Sequence, residues 1–244
     1  MVMTFDYHTH TVYSRHHHGK GTIEENVLAA RRAGLSGIAI TDHGPGHLFY
    51  GVKRAWLPRM RDEVDGLREK YPDIEIFLGV EANIIDTPAG LDLRTEDLQY
   101  LDFILAGYHF GTARGHCIAN WLYDHGIGRT EKRREALAAR NTAMTLRAME
   151  NFDIKIFTHP GDKAPVDMER LAAACARKGI WMEISTHHAH LTVEEIEICK
   201  KYDVRFVISS DAHRPGMVGT YRAGVERAAA AGLAMERIVN VKGA

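Results

Sequence analysis

Phe5-Asp6-Tyr7-His8-Thr9-His10 begins the ordered pattern of the chain, and Ser14-Arg15-His16-His17-His18-Gly19 follows it closely. His8 and His10 are two apart. That spacing puts both imidazoles on one face of a β-strand, because side chains alternate with period two. Two neutral imidazoles aimed at one point make half of a transition-metal site. Taken alone, the triplet reads equally well as a strand end carrying two polar residues. The decision rests on whether other strands end in further ligands.

Downstream, Thr22-Ile23-Glu24-Glu25 is a capping box, and it predicts a helix that stops at Gly34. Residues 37–41 form an apolar strand ending at Thr41-Asp42-His43. A turn through Gly44-Pro45-Gly46-His47 precedes an amphipathic helix over about 58–70. A third strand, 75–80, delivers Glu81. A short hairpin over 83–93 and a helical turn at Thr95 lead to a strand at 101–106, which ends at Tyr108-His109. Residues 110–128 show no clear period and are expected to be a long loop or lid.

Helix resumes over about 130–151, and the strand at 154–157 runs into Thr158-His159-Pro160-Gly161. A helix over 168–178 ends at Gly179, and a strand at 180–184 follows. Thr192-Val193-Glu194-Glu195 is a second capping box, opening a helix to Tyr202. A strand at 204–209 leads into Ser210-Asp211-Ala212-His213. The last helix spans roughly 220–231, and 238–241 closes the chain. About seven strand–helix units imply a parallel sheet with right-handed crossovers. In 244 residues such alternation fits a closed α/β barrel better than an open sheet. No linker or repeat interrupts it, so residues 1–244 are expected to form one domain.

Hydrophobic content of 45% and charged content of 26% are ordinary for a soluble globular chain. The net charge of −1 points to no nucleic-acid or membrane partner. No stretch approaches the roughly 18 apolar residues of a membrane span, and no signal-peptide pattern opens the chain, so a cytoplasmic protein is expected. Cys117, Cys175 and Cys199 lack CxxC spacing and read as free thiols in a reducing compartment. Histidine stands out: 15 residues, against 8 Phe and 3 Trp. The tract at 16–18 is internal, which argues against an expression tag. Nothing in the sequence speaks to oligomeric state.

Metal-type residues recur where strands end: His8, His10, His43, Glu81, His109, His159, Asp211 and His213. In a parallel barrel every strand's C-terminal end opens on the same rim. Core histidines satisfied by backbone are common singly, but not at six strand ends together. Imidazoles and carboxylates without thiolate suit Zn, Mn or Fe. So many ligands exceed one tetrahedral ion and imply two or three, with Glu81 or Asp211 able to bridge. Clustered cations lower the pKa of a bound water and clamp an in-line phosphoryl displacement when roughly 3.5–4 Å apart. Hydrolysis is the expected reaction class.

These motifs, in this order and over nearly the whole chain, resemble the PHP (polymerase and histidinol phosphatase) metal-dependent phosphoesterases. Within that family, Asp42-His43-Gly44-Pro45 is most similar to the stand-alone YcdX-like phosphatases. The resemblance implies a distorted (β/α)7 TIM-like barrel with a trinuclear site, usually described with zinc. By matching position, His8, His10, Glu81 and Asp211 would hold one ion. Glu81 would bridge to a second on His109 and His159, and His43, His213 and one histidine of 16–18 would take a third. A metal-bridging hydroxide would attack phosphorus, with no protein nucleophile. Counting forward from His10 selects His16 as the loop ligand. Counting back from the capped helix selects His18 and leaves His17 a solvated bystander; the helix register favours His18.

Lys163, Arg214, Arg15 and Lys20 are candidates to contact a phosphate, though each reads as readily as a solvated surface cation. His47, His116, His125, His187, His188 and His190 match no metal position and read as loop residues. The expected activity is hydrolysis of a small phosphomonoester, and histidinol phosphate is one substrate option. An amidohydrolase also opens with His-x-His, but it commonly bridges its metals with a carbamylated Lys, and no Lys stands at a suitable strand end. A non-catalytic PHP module is the third reading. Against it, all nine ligand positions keep a metal-type residue.

Overall fold

A computed structural model describes residues 1–243. Outside the barrel, β1 (Val2–Met3) pairs antiparallel with β9 (Val241–Lys242). The main sheet runs in sequence order through β2 (Phe5–Asp6), β3 (Gly37–Ile40), β4 (Glu75–Asn83) and β5 (Phe103–Gly107). It continues through β6 (Ile154–Phe157), β7 (Trp181–Ser185) and β8 (Phe206–Ser209), and every pair is parallel. Parallel neighbours need crossovers. These are α1 (Ile23–Arg32), α2 (Leu57–Lys70), α3 (Cys117–Asp124) with α4 (Glu131–Asn151), α5 (Met168–Lys178) and α6 (Val193–Cys199), while α7 (Arg222–Ala230) follows β8. Between β4 and β5 a 3₁₀ helix, Thr95–Tyr100, replaces the α-helix. The result is a nearly closed, distorted (β/α)7 TIM-like barrel.

Strand alternation sorts side chains into two layers. Outward-facing Ile76, Leu78, Val80, Ile104, Ala106, Met182, Ile184, Phe206 and Ile208 join the main core, together with apolar residues of the helices. Inward-facing Leu105, Ile156 and Val207 form a separate small core with Tyr7, Phe103 and Trp181. The rings of Phe5, Tyr7, Phe77, Phe103 and Trp181 interlock there. The same inward register carries Glu81 on from Phe77, His109 on from Leu105, and Glu183 on from Trp181. Both faces of these strands are buried, which is why they read as continuous apolar runs.

Closure between β8 and β2 is not a ladder. Thr9 and Ala212 form a single parallel bridge, with the His10 N–H donating to Ala212 O at 2.8 Å. Side chains do the rest. Asp6 Oδ1 accepts from the Ser210 N–H (3.1 Å) and Oδ2 from the Gly219 N–H (2.9 Å). Asn240 Nδ2 donates to Phe5 O (2.7 Å) and Ile208 O (2.6 Å). Asp6 is fully buried, and burial lifts its carboxyl above the usual range despite these donors.

Both expected capping boxes form, at Thr22–Glu25 and Thr192–Glu195, and Gly179 ends α5 at φ 68°. The hairpin expected over 83–93 reduces to one bridge, Ile84 to Leu91. The helix after Thr192 stops at Cys199, short of Tyr202. The larger difference is α3, inside the stretch expected to be loop. Its buried residues are Asn120 and Tyr123, while Ile118 is 79% exposed. Asn120 is held by Tyr108 Oη and Asn141 Oδ1 at 3.0 and 3.2 Å. A helix that buries an amide and exposes an isoleucine has no legible apolar face. Among the described residues no helix is long and apolar enough to cross a membrane.

Candidate metal centre

Glu81 occupies the middle of the barrel mouth, 1% exposed. Its Oε1 lies 3.1 Å from His109 Nε2 and 2.8 Å from His159 Nε2. Its Oε2 faces the other way, 2.9 Å from His43 Nδ1, 3.4 Å from His8 Nε2 and 3.7 Å from His10 Nε2. Asp211 Oδ1 stands 3.1 Å from His10 Nε2 and 3.6 Å from His8 Nε2. His18 Nε2 is 3.0 Å from His43 Nε2 and 2.9 Å from His213 Nε2. Three overlapping triads have mutually close donor atoms: His8–His10–Asp211, His43–Glu81–His109 and His10–His43–His213. In these triads His43 sides with Glu81 and His109 as well as with His213.

The outer nitrogens show which lone pairs point inward. His213 Nδ1–H donates to Asp211 O (2.9 Å), His109 Nδ1–H to Asn83 Oδ1 (2.8 Å) and His8 Nδ1–H to Glu183 Oε1 (2.8 Å). Ser14 Oγ gives its one proton to Asp42 Oδ1 at 2.6 Å, so it can only accept from His10 Nδ1, 3.3 Å away. In their neutral, ligating form these four imidazoles are thereby Nδ1–H tautomers with bare Nε2 atoms converging, His8 and His10 to within 3.1 Å. Bare nitrogens facing one another and a carboxylate repel unless positive charge lies between them. Glu81 Oε2 and His43 Nδ1, close but misaligned, also lack hydrogen-bond partners. This donor set fits divalent cations. Glu183 holds the arrangement from behind, its Oε2 also accepting the His159 N–H at 2.9 Å. Glu183→Gln is expected to weaken metal binding about 10–100-fold; titration against a competing chelator measures it, and unchanged affinity would remove Glu183 from this role.

Burial dominates the electrostatics. It holds His10 well below its ordinary value, helped by His213 and His43, and it depresses His43 despite Glu81. His18 is lowered to about 3, and His109 to about 4, by the same loss of solvent. These rings are neutral at pH 7, as ligation requires. His8 is the exception. Burial opposes its charge, but Glu183, Glu81 and Asp211 outweigh burial and raise it. Glu81 and Asp211 stay well below the carboxylate range because surrounding imidazoles overcome their own desolvation.

Local backbone aims several of these groups. Asp42 accepts the N–H and hydroxyl of both Thr11 and Ser14 at 2.6–3.0 Å, fixing the turn after His10. His16 (φ 57°) and His17 (φ 61°) are both left-handed. They remain exposed while His18 turns inward, its ring stacked 3.9 Å from that of Tyr50. Gly19 packs on the Thr11 backbone with no room for a Cβ. His159 (φ 28°) and Asp211 (φ 51°) are strained in the same sense, at a cost of roughly 1–3 kcal/mol each.

The candidate cations separate. Lys163 lines the cavity above the cluster, 2.9 Å from Asp162. Arg15 instead donates to the carbonyls of Gly51, His47 and Leu48, and neither Lys20 nor Arg214 lines that cavity. Of the remaining histidines, His47, His187 and His188 line it. His188 spans Asp211 and Asp162 at 3.2 Å each. His116, His125 and His190 are engaged elsewhere, with Asp86, Trp121 O and Glu195. Glu183 escaped the sequence reading, although a lone carboxylate inside an apolar strand was the available signal. Asn83 and Ser14 gave none, since their role exists only once the ligands converge.

The chain resembles known proteins in sequence and in fold. The PHP domain family model matches residues 6–187. A protein of Syntrophotalea carbinolica named a probable phosphatase is 31% identical over 96% of this chain and 90% of its own length. One of Acetivibrio thermocellus, with the same name, is 31% identical over 91% of this chain and 84% of its own. Among solved structures, histidinol phosphate phosphatase from Lactococcus lactis, complexed with zinc, L-histidinol and phosphate, superposes with a TM-score of 0.64. At 18% identity, covering 96% of this chain and 95% of that one, it speaks for the barrel alone. Matched by one family's model from its first barrel strand to the loop after its seventh-numbered strand, and aligned almost end to end with relatives, this chain belongs to the PHP domain family.

Proposed function

We propose that the protein is a metal-dependent phosphatase that hydrolyses a small phosphomonoester at a three-ion centre. The observation that carries this reading is Glu81, whose two oxygens face two separate sets of imidazoles. A carboxylate so placed would serve two neighbouring ions, one through each oxygen. In this reading His8, His10, Glu81 and Asp211 would hold one ion, Glu81, His109 and His159 the second, and His43, His213 and His18 the third. Zinc suits the donor set, and a structural neighbour is a zinc complex. Bound divalent ions supply a water of lowered pKa and positive charge for the phosphoryl oxygens.

The chain's own residues do the positioning. Ser14 and Asp42 keep the His10 proton on Nδ1, and Asn83 does the same for His109. Lys163 stands on the cavity wall as a cation for a phosphate oxygen. The cluster sits at the floor of a cavity of about 320 Å³, within the range of small-molecule sites. Hydrolysis of p-nitrophenyl phosphate by the purified protein tests the proposal. Turnover is expected to vanish with chelator and to return with zinc or manganese. Turnover that survives complete metal removal, or none in the metal-loaded protein, would overturn it.

A further inference from the structure

The walls of the cavity are chemically unlike its floor. On one side stand His47, Phe49, Tyr50, Phe110 and Gly111; Lys163, His187 and His188 also line the cavity. Tyr50 is already committed, stacked on His18 and 4.7 Å from His47. Phe49 is not. It is 57% exposed at the cavity wall, and its ring centroid stays 6.3 Å from those of both His47 and Tyr50.

An exposed phenylalanine on a mobile loop would mean little, but this one is held firmly. His47 Nδ1 accepts the N–H groups of Phe49 and Tyr50 at 3.3 and 3.0 Å. Arg15 grips the carbonyls of His47 and Leu48 from behind. Leu48 N–H donates to Gly111 O at 2.9 Å, and His47 bridges to Thr112. Gly111 has φ +88°, and a Cβ there would meet Phe49 and His47 at 3.0–3.1 Å. Two segments of chain are thus locked together with an aromatic face left free beside a metal-type cluster.

Charge completes the picture. The carboxylates lining the cavity are Glu81 and Asp211, and both are engaged by imidazoles of the cluster. Asp162, which does not line the cavity, is taken by Lys163 and His188. Among the described residues no carboxylate lining the cavity is left to meet an ammonium group, and Lys163, though paired with Asp162, keeps its ammonium at the wall. We infer that the cavity selects phosphomonoesters whose alcohol carries a flat, uncharged or anionic ring, stacked on Phe49, and that it discriminates against alcohols bearing a free amine. This inference rests on the phosphatase reading and names its substrate class. It also separates this chain from its L-histidinol-bound structural neighbour, since histidinol carries an amine.

The test uses esters with similar alkyl leaving groups: 2-phenylethyl, butyl and 4-aminobutyl phosphate, assayed with the zinc-loaded protein. The expected order of kcat/KM is phenylethyl, butyl, aminobutyl. Phe49→Ala is expected to lower the phenylethyl-to-butyl ratio by about 3- to 10-fold, mainly through KM, as for loss of an aromatic contact. Phe49→Glu is expected to raise the aminobutyl-to-butyl ratio. Calorimetric binding of the matching phosphonates reads the same order without turnover. Aminobutyl equal to or better than phenylethyl, or a ratio untouched by Phe49→Ala, overturns the inference and leaves the phosphatase reading standing. Absence of turnover on all three esters, and on p-nitrophenyl phosphate, overturns that reading and the inference with it.

Discussion

Glu81→Gln is expected to cut kcat/KM for p-nitrophenyl phosphate by well over the roughly 10–100-fold that loss of an outer-shell partner costs. The amide keeps the side chain's shape but removes its charge and turns one oxygen into a donor. Either orientation then puts a neutral group where divalent cations would need a charged oxygen, beside His109 and His159 on one side or beside His43, His8 and His10 on the other. Metal content measured on the same sample is expected to fall, while circular dichroism shows the barrel retained. Parental turnover with full metal content in this variant would refute the bridging role of Glu81.

Acid is expected to unfold the metal-free protein early. His10, His43, His18 and His109 are held below the unfolded histidine value of 6.5, His18 at about 3 and His109 at about 4. Below pH 6.5 the unfolded chain binds protons that these buried rings refuse, so stability falls with pH until the folded values are reached. Each such ring withdraws up to about 1.4 kcal/mol per pH unit in that window. His8 works in the opposite sense. Its raised value makes its contribution complete below 6.5 and lost only as pH rises through the folded value, so it adds no slope in acid. Glu81 and Asp211, both depressed, withdraw support only below about pH 4. The metal-free Tm is therefore expected to drop by roughly 10 °C or more between pH 7.5 and 5. A flat Tm across that range, read by differential scanning fluorimetry, would contradict these neutral buried rings.

The sequence made the barrel legible because its strands are short apolar runs that end in chemistry. Glu81, His109 and Asp211 each follow an apolar run, so their convergence could be argued from topology alone. The direction of the 16–18 tract could not, because it depends on two left-handed residues and on Tyr50 waiting across the loop. Arg15 was misleading for a similar reason. A cation beside a ligand loop reads as a phosphate contact, yet its Nε and Nη2 donate to three backbone carbonyls. Helix α3 escaped because it buries Asn120 and exposes Ile118. Asp6 and Asn240 were invisible for the simplest reason: they act on partners over 200 residues away, Ser210 and Phe5.

That last pair bears on how the protein comes to exist. The candidate ligands of the first corner, His8 and His10, stand on one side of the barrel seam, and Asp211 and His213 stand on the other. The two sides are far apart along the chain, and Asn240 lies further on still. Glu81 and Glu183 lie between them in the chain, but the carboxylate that faces His10 across the seam, Asp211, is 201 residues away. Closing the barrel seam and bringing these ligands together are consequently one event.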